Sequence, residues 1–379
     1  MTKFDTHLCL VSAQSTPNLI PVMDSAFAPR RVVLVVSPDM QARAGWLSSV
    51  MRRHGVLVEI LKVSDAYDFN GCWDIFSDWL TTQTDEVALN ITGGTKVMAM
   101  AAQDVFREMQ KPIFYINVEN DSVLRLDRRE QPFALATKIK LREYLESHGY
   151  EVNHDANSKP SISGDQRDFV DRLAYESVRL GDGLGKLNWL AQQAKGNLTS
   201  PELDASQRDS KALDELISMF SMAGWLTHKN NKLQFPNEAA RKFVNGGWLE
   251  FLVYQALSSL SSEMRFADYA IGLEVTAADG KTKNELDVAV LYKNTLHIIE
   301  CKSANLTSNG KAEESSGTEA LYKLEALRDI GGLRTKALLV DFRGGLRDAD
   351  KRRAAQMKLG VISGAELRDL KGKLKAWLK

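Results

Sequence analysis

Leu286-Asp287-Val288-Ala289-Val290-Leu291, then Tyr292-Lys293-Asn294-Thr295, then Leu296-His297-Ile298-Ile299-Glu300-Cys301-Lys302: this stretch decides how the C-terminal part of the chain folds. Two apolar runs around a short polar tetrapeptide predict a two-stranded hairpin. Successive side chains of a strand point to opposite faces, so Glu300 and Lys302 share one face. Two carboxylates and an ammonium therefore converge at one end of the ribbon. Charged residues are rarely buried unless paired or liganded, yet these interrupt runs of Leu, Val and Ile. Acidic oxygens suit a hard divalent cation, and a nearby lysine orients a water or offsets developing negative charge. That is the chemistry of metal-assisted phosphodiester cleavage.

A third acid lies upstream. Trp248, Leu249, Leu252, Val253, Ala256, Leu257 and Leu260 form a helical apolar stripe, with Glu250 at its flank early in the helix. The order of helix Glu, strand Asp and strand Glu-x-Lys resembles the PD-(D/E)xK nuclease superfamily. The strict motif opens with Pro-Asp; here Glu285-Leu286 precede Asp287.

At 379 residues the chain has room for two or three domains. Hydrophobic residues make up 44% and charged residues 26%, the balance of a soluble globular protein. Lys+Arg and Asp+Glu are both 49, which argues against coating nucleic acid by bulk electrostatics but leaves room for a local basic groove. Arg328, Arg334, Lys336, Arg343, Arg347, Lys351, Arg352 and Arg353 are the candidates for such a groove, or ordinary solvated surface. Cys9, Cys72 and Cys301 stand apart without CxxC spacing and read as reduced thiols, neither a zinc site nor a disulfide frame. Without a signal-peptide pattern or an apolar run of about 18 residues, a cytoplasmic protein is expected.

Residues 1–155 alternate apolar strands (His7–Ser12, Arg31–Val36, Val56–Leu61, Val87–Ile91, Pro112–Ile116) with helical stretches near 17–27, 40–53, 72–82 and 95–109. This pattern predicts a Rossmann-like α/β domain with a parallel sheet covered on both faces. Ligands of such sheets bind beyond the carboxyl ends of the strands, near a topological switch point. Two strand ends carry suitable chemistry. Ser12-Ala13-Gln14-Ser15-Thr16-Pro17-Asn18 follows the first strand, and Asn90-Ile91-Thr92-Gly93-Gly94-Thr95-Lys96 follows the fourth. Glycines admit a ligand close to the backbone, a helix N-terminus presents free N–H groups, and Lys96 adds positive charge, so the edge suits phosphate. The loop is neither a Walker A loop nor GxGxxG. Its bland alternative is a tight βα turn capped by Thr95.

Residues 151–167 are polar and turn-rich, a linker candidate. Over 165–240, helical patterns at Phe169–Val178, Lys186–Gln193 and Ala212–Met222 lead into a small hairpin wing, a winged-helix-like connector. Asp214 and Glu215 on its third helix favour a spacer or dimer element over a DNA reader. Residues 241–379 are expected to form the third domain, with the α/β fold that the PD-(D/E)xK resemblance implies. Its 303–319 stretch reads as a loop beside the site, followed by Tyr322 and Lys323, which either contact a phosphate backbone or lie on a solvated helix face.

Leu89-Asn90-Ile91-Thr92-Gly93-Gly94-Thr95-Lys96, with Val11-Ser12-Ala13-Gln14 and Pro17-Asn18, resembles a CARF domain, the cyclic-oligoadenylate sensor of CRISPR ancillary effectors. A CARF domain followed by this Glu, Asp and Glu-x-Lys set resembles the single-CARF Card/Can nucleases of type III CRISPR systems. The resemblance implies a homodimer activated by a cyclic oligoadenylate, most simply cyclic tetra-adenylate, that cleaves DNA, RNA or both. It places the activator on Ser12, Gln14, Thr16, Asn18 and Thr92 to Lys96 (Thr92, Gly93, Gly94, Thr95, Lys96). It makes Glu250, Asp287, Glu300 and Lys302 catalytic, with one or two Mg2+ or Mn2+ ions on Glu250, Asp287, Glu300 and the Cys301 carbonyl. The competing readings are a non-enzymatic nucleotide-sensing regulator with a degenerate nuclease fold and an ungated restriction-type endonuclease.

Overall fold

The structure, a computed structural model, describes residues 3–153, 164–303, 306 and 316–379. The first sheet contains β1 (Thr6–Leu10), β2 (Arg31–Val36), β3 (Leu57–Lys62), β4 (Val87–Asn90), β5 (Ile113–Asn117), β6 (Ser122–Arg125) and β7 (Phe133–Ala134). Their order is β3-β2-β1-β4-β5-β6-β7, with the first five strands parallel. Helices α1 (Thr16–Met23), α2 (Gln41–Arg53), α3 (Phe69–Thr81) and α4 (Lys96–Glu108) make the crossovers. Wholly buried runs such as Val32-Val33-Leu34-Val35-Val36 suit strands covered on both faces. Strand order reverses between β1 and β4, so the loops after these two strands lie side by side.

The chain then forms α5 (Leu141–Glu146) and β8 (Tyr150–Val152). β8 leaves the first sheet altogether and pairs antiparallel with a strand of the second. Within the span 1–155 expected for the first domain, β8 thus hydrogen-bonds with the C-terminal part. A three-residue strand with no periodicity of its own gives no sequence signal for its partner.

The connector comprises α6 (Gly164–Tyr175), α7 (Ser177–Gln193), α8 (Ala205–Arg208), α9 (Lys211–Met222) and the hairpin β9 (Thr227–Lys229) with β10 (Lys232–Gln234). Thr199 adds a single bridge to Gln234, and Asn230 and Asn231 make the two-residue left-handed turn. This is the winged-helix-like pattern expected from the sequence. A short helix α10 (Glu238–Lys242) and a π-type turn lead into α11 (Trp248–Met264).

The second sheet runs β15-β14-β13-β12-β11-β8, with β11 (Asp268–Ala277), β12 (Lys283–Tyr292), β13 (Thr295–Lys302), β14 (Lys336–Asp341) and β15 (Gly360–Ser363). Its helices are α12 (Ser316–Arg328), α13 (Asp348–Gln356) and α14 (Leu370–Leu378). Alternation along β13 splits the core. Leu296 and Ile298 pack with α12 and α13, whereas Ile299 and Cys301 pack with α11, α14 and the connector. The first of these clusters runs without a break from Phe4 and Leu34 in the first sheet to Leu286 and Leu339 in the second. Buried apolar contact thus joins the N- and C-terminal parts directly.

Candidate functional site

β12 and β13 pair antiparallel from Tyr292 with Thr295 to Val288 with Ile299. Lys293 and Asn294 close the hairpin with φ of 49° and 54°, the left-handed two-residue turn that matches strand twist. One step beyond the last pair, Asp287 faces Glu300. Asp287 Oδ2 accepts the Cys301 backbone N–H at 2.7 Å, which fixes that carboxylate across the ribbon. Glu300 is 0% exposed. Its Oε1 receives Lys302 Nζ at 2.6 Å and Lys323 Nζ of α12 at 2.8 Å. Its Oε2 is buried without a hydrogen-bond partner among the described residues. Glu250, in the first turn of α11, faces the same group from the opposite layer.

The electrostatics record this crowding. Burial, then Asp287, Glu285 and Glu300, push the Glu250 carboxyl up to about 8. Burial and the neighbouring Glu300 raise Asp287 too, against the Cys301 N–H that lowers it. Burial pulls the Lys302 ammonium down, but Glu300 and Asp287 outweigh it and hold the group raised, so Lys302 stays charged. Burial, then the carboxylates of Asp287, Glu250 and Glu300, push the Cys301 thiol far up, which keeps it protonated, while its backbone N–H holds Asp287. Acids pushed towards protonation by burial and then by one another, one with a bare buried oxygen, are what a divalent cation relieves. Their chemistry fits Mg2+ or Mn2+. Among the described residues, however, no three His, Cys, Asp or Glu side chains stand in a ready-made metal cluster; lysines occupy Glu300 instead.

Several neighbours escaped the sequence reading. Asp341, fully buried, sits beside Lys302 in the β13–β14 register and accepts the Arg343 N–H at 3.1 Å. Ser303 accepts Asn188 Nδ2 of α7 at 2.9 Å, which ties the connector to the end of β13. Gly246, at φ 120°, lies so close that a Cβ there would be 2.5 Å from Ser303 Oγ. Most of the basic residues suspected of forming a groove are occupied: Arg347 and Arg353 bind buried Asp350, Arg343 binds Asp182, Arg334 binds Glu119, and Arg328 binds the Met357 carbonyl. Of the expected 303–319 loop, residues 304, 305 and 307–315 lie outside the described residues.

At the other edge, the loops after β1 and β4 meet. Gly93 passes so near β1 that a Cβ would be 2.0 Å from the Leu10 carbonyl oxygen, and Gly94 has φ 73°. Thr95 caps α4, accepting Met98 N–H at 3.1 Å, and donates to the Ala66 carbonyl at 2.6 Å. Asn18 is buried, donating to the Leu10 carbonyl at 2.9 Å and accepting from Asn90 at 3.0 Å. Thr92 Oγ1 donates to Asn90 Oδ1 and accepts the Ile116 N–H at 2.8 Å. Asn18, Thr92 and Thr95 therefore build the edge, while Ser12 and Gln14 are partly open and Lys96 is exposed beside them. Thr16 opens α1 and is largely buried. Ser15 contacts Ser147 Oγ at 2.6 Å and His148 Nδ1 at 3.3 Å. Tyr144 Oη, one turn from His148, donates to the Gly331 carbonyl at 2.8 Å, beyond the end of α12.

The Card1 CARF domain family matches residues 6–144, and the Card1-like endonuclease domain family matches 237–379. No curated protein matches the chain in sequence. Among solved structures, protein VC1899 from Vibrio cholerae superposes with a TM-score of 0.87 at 28% identity, covering 98% of this chain and 97% of that one. Can2 from Sulfobacillus thermosulfidooxidans, solved in complex with cyclic tetra-adenylate, gives 0.80 at 26% identity and 99% of both chains. A type III CRISPR defence DNA nuclease activated by cyclic oligoadenylate shares the fold at 19% identity and TM-score 0.55, over 90% of this chain and 45% of that one. With one matched domain holding the strand-end loops and the other holding the Asp287–Glu300 hairpin, the chain belongs to the CARF-domain nucleases of the Card/Can type.

Proposed function

We propose that this protein is a nuclease switched on by a cyclic oligoadenylate, cyclic tetra-adenylate first among them, acting in type III CRISPR defence. The observation that carries the catalytic half is the fully buried Glu300, bonded by Lys302 at 2.6 Å, with the half-buried Asp287 facing it across the hairpin. An apolar strand has no structural need of that constellation, which weakens the reading as a degenerate scaffold. The sensing half is supported by the glycine-lined edge at the β1–β4 switch point, with Lys96 exposed at its rim, and by the complex that the similar Can2 forms.

The nuclease centre is metal-dependent and of PD-(D/E)xK type. Glu250, Asp287, Glu300 and the Cys301 carbonyl would hold Mg2+ or Mn2+, which supplies Lewis-acid polarisation of the scissile phosphate. Around it, the Cys301 N–H keeps Asp287 oriented, and burial in the β13 core keeps Glu300 from rotating into solvent. Lys302 stays protonated beside Glu300, where it offsets negative charge developing on the phosphate and orients the attacking water. The substrate is DNA, RNA or both. Activator binding is read as the work of a homodimer, whose two-fold axis matches a two-fold symmetric ring. Large exposed side chains near the α4 end of the ligand edge, Tyr67 at 75% and Met100 at 61%, favour such a contact. The three domains are taken as a CARF sensor, a connector over 165–240 and the nuclease from 241.

A cleavage assay with single- and double-stranded DNA and RNA tests this, run with and without cyclic tetra-adenylate and with Mn2+ or EDTA. Cleavage that needs both ligand and metal, and that Glu300→Ala or Lys302→Ala removes while ligand binding persists, is the expected result. Cleavage independent of the ligand favours the ungated endonuclease, and ligand binding without any cleavage favours the regulator.

A further inference from the structure

Lys302 alone would neutralise Glu300, yet a second ammonium reaches the same oxygen. Lys323 comes from α12, across the layer, and its side chain is 49% exposed. A lysine on a solvated helix face normally turns outward, so ordering it against a fully buried carboxylate needs a compensating interaction. The helix that presents it is itself fixed. Thr318 of α12 donates to buried Asp350 of α13 at 2.7 Å, Arg347 and Arg353 bind the same carboxylate, and the Arg353 guanidinium lies 5.6 Å from the centre of the Tyr322 ring. Both ammoniums use Oε1, and Oε2 is left buried and unpartnered among the described residues.

We propose that Lys323 is a positioning residue of the nuclease centre: with Lys302 it clamps Glu300 by one oxygen so that the other is presented to a divalent cation. This rests on the nuclease reading above and adds to it a residue outside the Glu-x-Lys motif. Groups that orient a metal ligand without touching the metal change affinity or turnover by about 10- to 100-fold when removed. A lysine that instead gripped the substrate backbone would act mainly on KM.

The test uses the full-length chain as wild type, Lys323→Met and Lys323→Arg. Mn2+ binding is read by calorimetry without substrate, and kcat and KM are read with activator and substrate. Lys323→Met is expected to weaken Mn2+ binding about tenfold and lower kcat about tenfold with KM nearly unchanged, and Lys323→Arg to recover most of both. Circular dichroism and thermal melting establish that each variant is folded. Unchanged or tighter Mn2+ binding in Lys323→Met overturns the proposal, as does a rise in KM at constant kcat. Wild-type protein that binds Mn2+ but cleaves nothing sinks the nuclease reading alone, and the Mn2+ isotherms still decide Lys323. Wild-type protein that binds no Mn2+ overturns the clamp.

Discussion

Asn294, at the tip of the β12–β13 hairpin, donates its side-chain amide to the Asp121 carboxylate in the turn between β5 and β6. It also reaches the Val118 carbonyl at 3.0 Å. The ribbon that carries Asp287 and Glu300 at one end is thus moored in the sensor at the other. The mooring continues inward, because Thr92 of the ligand edge accepts the N–H of Ile116 on β5, two residues before Val118. Strand β5 and the turn after it thus connect Thr92 to the tip of the nuclease hairpin.

Asn294→Gly tests the mooring, since glycine keeps the left-handed turn and removes only the amide. Ligand affinity should hold while stimulation of cleavage by cyclic tetra-adenylate falls about fivefold or more. Denaturation should show a loss of about 1–3 kcal/mol from the buried acceptors left behind. Full stimulation would mean that the signal travels elsewhere.

The second junction is the Tyr144 hydroxyl on the Gly331 carbonyl. Tyr144→Phe deletes one buried hydrogen bond at nearly constant volume, with an expected cost of about 1–3 kcal/mol in chemical denaturation. If Ser15, His148 and Tyr144 relay the sensor state to α12, ligand-stimulated cleavage drops while basal cleavage does not. Equal losses of both would reduce the junction to simple support.

Protonation of Glu250 links stability to pH. Its folded carboxyl lies near 8 against an ordinary 4.5, so the folded state keeps a proton that the unfolded state releases between those values. Stability of the metal-free protein therefore falls as pH rises through that window. Glu250→Gln should flatten the decline of Tm between pH 5 and pH 8. Mn2+ should raise the wild-type Tm more at pH 8 than at pH 5, because the carboxylates must lose protons to bind it. A wild-type Tm that climbs across the same interval contradicts the assignment.

At the ligand edge, two substitutions separate shape from charge. Gly93→Ala forces a methyl against the Leu10 carbonyl and should cost about 1–3 kcal/mol of stability. Lys96→Ala should leave the melting temperature in place and weaken binding of cyclic tetra-adenylate, measured by calorimetry. Unaltered affinity would remove Lys96 from the binding edge.

Much of this architecture was legible in residue patterns. The two apolar runs around Tyr292-Lys293-Asn294-Thr295 predicted the hairpin, and hence that its carboxylates and Lys302 would converge at one end. The apolar strands of the first sheet and the glycines after β4 predicted the switch-point edge. Contacts between elements far apart in sequence were not legible. Nothing in α12 marks Lys323 as the residue whose ammonium turns inward, and Asp341 reads as an ordinary strand-end acid. Asn18, chosen for its polarity, proves to be buried and engaged with Asn90. Short polar side chains serve a loop's own backbone as readily as a ligand, and sequence does not distinguish the two.

The strand β8 has a consequence for how the chain can be divided. Tyr150, Glu151 and Val152 lie along Ala277, Thr276 and Val275, and so close one margin of the nuclease sheet with residues that precede the connector. A fragment beginning at the connector would bare that row of N–H and C=O groups, an invitation to strand-to-strand association between copies. The tail of the sensor is in this sense a built-in guard against self-adhesion, and a cut that keeps β8 with the nuclease should stay dispersed where a cut after it clumps.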